Sequence, residues 1–507
     1  MKTKITSAIL LIVGTLSFNH LFWQQSLGVN LVLFNFLLIG IAIYNLKKTV
    51  LKNELIIALL LTFISGLMVV WHNTGLSVLM HFLTTLITLG LIKQDNFKQA
   101  LEGLAGSIAT YLSTPIQWLN QFIEDNNKNR KVIIIYKAMK LVVIPLLLFF
   151  IFFTLYRGAN PKFEELTQSL MDWFTTLFSG FSLGRVIFLL FGFSLIAFAL
   201  FKGNSLMDPL IPTSEDLIRK RKVYRNEFGF NRNLYAKIVY EYKVGIIVFS
   251  LLNALLLIVN VLDLNWIWFG FEVPLDFNLK QFVHEGTYLL IFSILLSIVV
   301  LLYFFRASLN FYPKNKWLKR LGIFWVIQNA ILACSVLVRN YHYIDYHGLA
   351  GKRIGMIAFL IFTFFGLISL IVKVQRLKSF SYLLRLNSWF ILISLTLMSC
   401  LNWDRIIVHN NLAHNNPAEI DVDYYLKLSP SVAPIILKNL PTIEKQMTAH
   451  LNRVGKERWL HYIDIDLFKQ QLEYNTSQHL IKLKNYNWPS WNYIDHRLKQ
   501  RTTLISQ

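Results

Sequence analysis

Ile354-Gly355-Met356-Ile357-Ala358-Phe359-Leu360-Ile361-Phe362-Thr363-Phe364-Phe365-Gly366-Leu367-Ile368-Ser369-Leu370-Ile371-Val372-Lys373 carries no charge before its last residue. A run of roughly 17 to 25 mostly apolar residues matches the hydrocarbon thickness of a bilayer, and because lipid offers no hydrogen-bond partners it has to be helical. Similar stretches recur near residues 6–23, 28–45, 54–71, 76–93, 139–157, 182–201, 244–262, 286–305, 321–338 and 387–403. His81 and Arg185 interrupt or flank the fourth and sixth. The expected fold class is therefore all-α: a polytopic transmembrane helix bundle of about 11 spans with a small helical C-terminal extramembrane domain.

Composition agrees. The 507 residues are 55% hydrophobic and only 15% charged, with a mean hydropathy of +0.47, which excludes a string of ordinary soluble domains. Forty Phe and 13 Trp suit a lipid solvent, since aromatic rings pack against acyl chains and Trp and Tyr collect at the headgroup level. A net charge of +22 would also suit a nucleic-acid binder. Polytopic proteins, however, gather Lys and Arg in cytoplasmic loops, so the expected partners are membrane lipid and an envelope protein, with no nucleic acid. Cys334 and Cys400 both fall inside expected spans and form no CxxC, leaving the redox compartment open. Met1-Lys2-Thr3-Lys4 before an apolar run has a signal-peptide charge layout. The run ends in Phe18-Asn19-His20-Leu21-Phe22-Trp23, without small residues for a peptidase, so a retained first span is expected.

Basic loops set the orientation. Lys47, Lys48 and Lys52 follow the second span; Lys128, Arg130, Lys131 and Lys137 precede the fifth; Arg219 to Arg225 precede the seventh; Lys314, Lys316, Lys319 and Arg320 precede the ninth; Lys373, Arg376, Lys378 and Arg385 lie between the tenth and eleventh. The intervening loops, such as His72-Asn73-Thr74-Gly75, are short, neutral or acidic. The expected location is the cell inner (cytoplasmic) membrane, multipass, with the N-terminus cytoplasmic and the C-terminus extracytoplasmic. The expected division is 1–95 for helices 1–4, 96–138 for a cytoplasmic amphipathic and basic segment, and 139–202 for helices 5–6 with an interfacial helix at 163–181. A basic cytoplasmic loop follows at 203–243, then helices 7–11 at 244–406 and a helical extracytoplasmic domain at 407–507. In that last domain Asp421, Ser429-Pro430 and Leu440-Pro441 read as helix starts, and 464–484 and 490–504 read as helices separated by Asn487-Trp488-Pro489-Ser490.

Chemistry-bearing motifs are scarce. GxxxxGK[ST] and a strand-linked GxGxxG are both missing. Asp421-Val422-Asp423 resembles a metal-binding DxD but reads better as a helix cap, and Asn475-Thr476-Ser477 is a weak sequon. Mid-span polarity reduces to Asn253, Gln328 and Asn329, read as interhelical hydrogen bonding rather than substrate contact. All 12 histidines fall on or toward the outer side. His342 and His347 around Asp345 form their only compact group, without the carboxylate-rich setting of a metal site. No catalytic residue, cofactor or metal is expected.

One block carries more than hydropathy: Phe305-Arg306, Trp325, Gln328-Asn329, the run Arg339-Asn340-Tyr341-His342-Tyr343-Ile344-Asp345-Tyr346-His347-Gly348-Leu349-Ala350-Gly351-Lys352-Arg353, and Asn402-Trp403-Asp404-Arg405-Ile406-Ile407. With Tyr424-Tyr425-Leu426-Lys427-Leu428-Ser429 and Trp488-Pro489-Ser490-Trp491-Asn492 in the tail, it resembles a bacterial multipass membrane family catalogued as a domain of unknown function, in the four-one-five-three or four-one-seven-three series. The resemblance covers about residues 240–500 and implies the fold rather than an activity. His347 and Ala350 depart from the family's usual Tyr and Thr. The charged residues of the block, Arg339, Asp345, Arg353 and Asp404, are expected at the outer ends of adjacent late spans, where charge-assisted pairs would clamp the helices. The alternative is a pocket for an anionic or zwitterionic solute or lipid headgroup among Arg339, Tyr341, Tyr346, Lys352 and Arg353. The function expected is envelope sensing or scaffolding without catalysis, with a transporter or flippase as the alternative.

Overall fold

The computed structural model describes residues 2–45, 52–94, 97–108, 110–111, 167–169, 172–173, 183–200, 225–226, 229–230, 232–269, 287–305, 308–413, 421–454 and 463–505. The fifth expected span, most of the amphipathic segment 163–181 and most of the basic loop 203–243 lie outside these residues. Lys2–Phe22 (α1), Val29–Asn45 (α2), Asn53–Trp71 (α3), Gly75–Lys93 (α4), Leu183–Leu200 (α5), Arg232–Asp263 (α6), Thr287–Phe304 (α7), Lys316–His347 (α8), Gly351–Gln375 (α9) and Phe380–Ser399 (α10) are the long helices. Among them α3, α4, α6, α8, α9 and α10 are long and apolar enough to cross a membrane, and α1, α2, α5 and α7 contain shorter apolar runs. Two strands of two residues, Arg225–Asn226 and Gly229–Phe230, pair antiparallel. Their outward faces rule out a water-soluble bundle: Ile12 is 62% exposed, Phe292 65% and Ile368 59%, far more contiguous apolar surface than water tolerates.

Helix ends follow caps rather than hydropathy. α10 begins at Phe380, seven residues before its apolar run, because the Ser379 hydroxyl accepts from the Tyr382 amide at 3.3 Å; an N-cap serine satisfies an amide that otherwise has no partner. α8 runs past its apolar segment to His347, so most of the motif run is helical. It stops where Gly348 adopts φ +79°, a left-handed conformation that favours glycine. Thr74 caps α4 after a two-residue turn from α3.

Three cores organise the bundle. Phe249, Phe305, Leu318, Val336 and Leu367 bind α6 to α9 together. Ile39, Leu61, Met80 and Leu392 join α2, α3, α4 and α10, while Phe18, Phe34 and Ile196 join α1, α2 and α5. α10 couples the halves through Phe365 and Phe390, stacked at 3.7 Å, Asn387 Nδ2 donating to Ser369 Oγ at 2.9 Å, and the Arg385–Glu54 pair at 2.6 Å.

The tail continues as Trp403–Ala413 (α11), Val422–Tyr425 (α12), Ala433–Lys438 (α13), Leu440–Val454 (α14), Ile465–Lys484 (α15) and Tyr493–Ile505 (α16). Asp421 and Ser429 accept the expected capping bonds, and Asp464 caps α15 in the same way. Val408, Tyr425, Ile436, Ile443 and Phe468 give α11 to α15 a core of their own.

Candidate functional site

The α8–α9 turn is three residues long, and the tail reads its backbone directly. Leu349 N donates to Asn411 Oδ1 at 2.6 Å, and Asn411 Nδ2 donates to the Leu349 carbonyl at 2.9 Å. One carboxamide of α11 thus satisfies both main-chain groups of a residue with no helical partner. Gly351 N donates to the Tyr424 hydroxyl at 2.8 Å. Arg353 closes the turn from within, donating to the His347 carbonyl at 3.0 Å and to the Gly348 carbonyl, with its guanidinium 4.4 Å from the Tyr343 ring centroid. A Cβ on Gly348 would lie 2.9 Å from Asn411 Oδ1, so glycine is required by both φ and proximity.

The motif residues are therefore shared among several contacts. Arg339 pairs with buried Asp263 of α6 at 2.7 Å. Asp404 accepts from Ser429 N at 3.0 Å inside the tail, so it and Arg353 serve different partners. Tyr341 is 64% exposed, Asp345 and Lys352 are exposed, and half-buried Tyr346 sets its ring edge-on to His347 at 4.8 Å. Asp263 escaped the sequence reading because a carboxylate at a span end looks solvated until its neighbour is known.

Between α6 and α8 lies a polar seam. Gly245 sits by Leu318, Asn253 by Gln328 and Asp263 by Arg339, so residue numbers rise together and the helices are parallel. Gln328 Nε2 donates to Asn253 Oδ1 at 2.6 Å, Asn260 Nδ2 to the Gln328 carbonyl at 3.1 Å, and Trp268 Nε1 to Ser335 Oγ at 3.1 Å. Asn253 and Asn260, like Gln328, Ser335 and His342, are seven apart, the repeat of two helices sharing one seam. That spacing was the available sequence signal. Asn260 Oδ1, Asp263 Oδ2, Gln328 Oε1 and Asn329 Oδ1 are buried along it with no donor among the described residues.

A second polar cluster joins α3 to α4. His81 Nδ1 lies 3.2 Å from both the Thr62 carbonyl and Ser65 Oγ, which in turn lies 3.0 Å from Thr84 Oγ1. Two buried lysines cap neighbouring helices instead: Lys93 Nζ donates to the Phe198 carbonyl in the last turn of α5, and Lys373 Nζ to the Phe305 carbonyl just past α7 at 3.3 Å. Cations at helix C-termini are favourably placed against the backbone dipoles. Among the described residues no three His, Cys, Asp or Glu side chains stand where they could hold a metal ion.

Where bundle and tail meet, a pocket of about 230 Å³ is lined by Trp71, His72, Asn402, Arg405, Tyr493 and Arg497 among others. Trp71 and Tyr493 stack at 4.7 Å, and His72 Nε2 is held 3.2 Å from the Cys400 carbonyl. Burial pushes the His72 imidazole down against a smaller upward pull from that carbonyl, so at neutral pH the pocket's positive charge comes from its two arginines.

Close-packed long helices with apolar outer surfaces define an integral, multipass helical membrane protein. The family described as Domain of unknown function (DUF4153) matches residues 6–439, and the chain belongs to it. The match begins well before the block that first suggested it and ends in the tail just after α13. No curated protein and no solved structure matches the chain.

Proposed function

We propose that the protein is a non-catalytic scaffold or sensor of the bacterial inner membrane, crossing it eleven times and holding its helical tail against the extracytoplasmic face. The observation that carries this reading is the rigid seating of the tail. The Gln25 Oε1 acceptor takes bonds from Asn487 N at 2.8 Å and Ser490 Oγ at 2.9 Å, Val29 N donates to the Trp491 carbonyl at 3.0 Å, and Asn411 and Tyr424 hold the α8–α9 turn. A presenting platform needs a fixed support. Sidedness is supported by charge: the loops that touch the tail, 23–28, 72–74, 348–350 and 400–402, contain no Lys or Arg, whereas Lys52, Lys314, Lys316, Arg376 and Lys378 lie where α3, α8 and α10 begin and α9 ends.

A transporter or flippase is the second reading, favoured by the acceptor oxygens along the α6–α8 seam that lack donors, since a solute path needs such groups at membrane depth. Crosslinking in intact cells from a photoreactive residue at exposed Tyr474, together with solute and lipid flux in reconstituted vesicles, separates the two. A discrete envelope protein crosslinked to the tail with no flux supports scaffolding. Flux abolished by Gln328→Leu, with no crosslinked partner, supports transport.

A further inference from the structure

We propose that the junction pocket binds a phosphate ester, taken either from a phospholipid headgroup or from a soluble phosphate. Arg405 at the start of α11 and Arg497 in α16 reach the pocket from different parts of the tail, and neither forms an ion pair with any described residue. The carboxylates adjacent to them in sequence are committed elsewhere: Asp404 to Ser429 N, and Asp495 to His479 at 2.9 Å and Asn492 at 2.7 Å. Two guanidiniums with no counter-charge among the described residues, around one concavity, suit a planar or tetrahedral oxyanion, because each presents a fork of donors matched to it. Ser431 and Asn402 add neutral polar groups to the lining.

Position selects among anions. The bundle lines the pocket with the end of α3, at Trp71 and His72, and the segment just after α10, at Asn402, so the pocket lies at the level where a spanning helix leaves the hydrocarbon. The stacked Trp71 and Tyr493 rings suit that boundary, and the anion concentrated there is phosphate. An occupant would touch bundle and tail at once, so binding would hold the tail down and raise the stability of the whole molecule. The site requires only that α3 and α10 cross the membrane, and it stands whether or not the tail recruits an envelope partner.

The test compares purified protein in three settings: nanodiscs of phosphatidylcholine alone, the same nanodiscs with phosphatidylglycerol or phosphatidic acid, and detergent micelles with added glycerol phosphate. Thermal unfolding and native mass spectrometry are the readouts, for wild type, Arg405→Ala/Arg497→Ala, and Lys469→Ala, which removes an exposed cation of α15 that does not line the pocket. Wild type and Lys469→Ala should retain one anionic lipid and unfold at higher temperature with it, and the double variant should bind roughly tenfold or more weakly, the loss expected of a charged hydrogen-bonding partner. Stabilisation by glycerol phosphate as strong as by the lipid assigns the soluble ligand; stabilisation by lipid only assigns the headgroup. Equal retention by wild type and the double variant, or no response of wild type to either source, overturns the proposal. Arg405→Lys/Arg497→Lys guards against misfolding, since it preserves charge while removing the forks: it should unfold like wild type without ligand and bind with intermediate strength.

Discussion

Gly28→Ala is the sharpest probe of how the tail is seated. A Cβ at that position would stand 2.6 Å from the carbonyl oxygens of both Ser490 and Trp491, distances that real side chains do not sustain. Both obstacles are backbone, so no rotamer change relieves the clash, and the 488–491 turn has to move away. That movement breaks Val29 N to Trp491 O and the two bonds accepted by Gln25. At about 0.5 to 1.5 kcal/mol each, their joint loss costs about 1.5 to 4.5 kcal/mol. Every 1.4 kcal/mol is tenfold, so local opening of the turn becomes about ten to a thousand times more frequent. Hydrogen–deuterium exchange of the peptide covering residues 486–493 reads this opening directly. Gly40→Ala is the control, because a Cβ there meets nothing within 4 Å. Unchanged exchange in Gly28→Ala, or equal acceleration in both variants, would refute the seating described for the tail.

Asp263→Leu removes the buried carboxylate that pairs with Arg339 and should lower stability by about 3 to 5 kcal/mol, while Asp263→Leu/Arg339→Met recovers most of the loss; thermal unfolding in detergent compares the two. Asn411→Ala leaves the amide and carbonyl of Leu349 without partners, at about 1 to 3 kcal/mol each, and faster proteolysis of the tail checks it. Burial alone would raise the Asp495 carboxyl, but hydrogen bonds from His479 and Asn492 outweigh it and hold the group below its ordinary range. Its stabilising contribution is thus present above the unfolded carboxylate value of about 4 and is lost as pH falls through the lower folded one. Unfolding temperatures of wild type and Asp495→Asn should differ at neutral pH and converge as pH falls through the lowered carboxyl value of the folded state.

Much of the architecture was readable from the chain alone, because hydrocarbon imposes a one-dimensional rule: any long apolar stretch has to be a helix, and basic flanks choose its side. Ten of the eleven expected spans coincide with helices, and the remaining one lies outside the described residues. Capping is equally local, so Asp421 and Ser429 announced their helices within three residues. What the linear chain leaves open is which helix ends become neighbours. Asp263 and Arg339 are 76 residues apart, Gln25 and Ser490 are 465 apart, and Trp71 meets Tyr493 only when the tail folds back. Arg405 and Arg497 each look like an ordinary surface cation, and they share a pocket solely because the folded tail places α11 and α16 side by side at the end of α3. Spans and caps are decided by interactions within a few turns of helix, whereas sites arise from side chains distant in sequence, whose meeting depends on packing that no local pattern encodes.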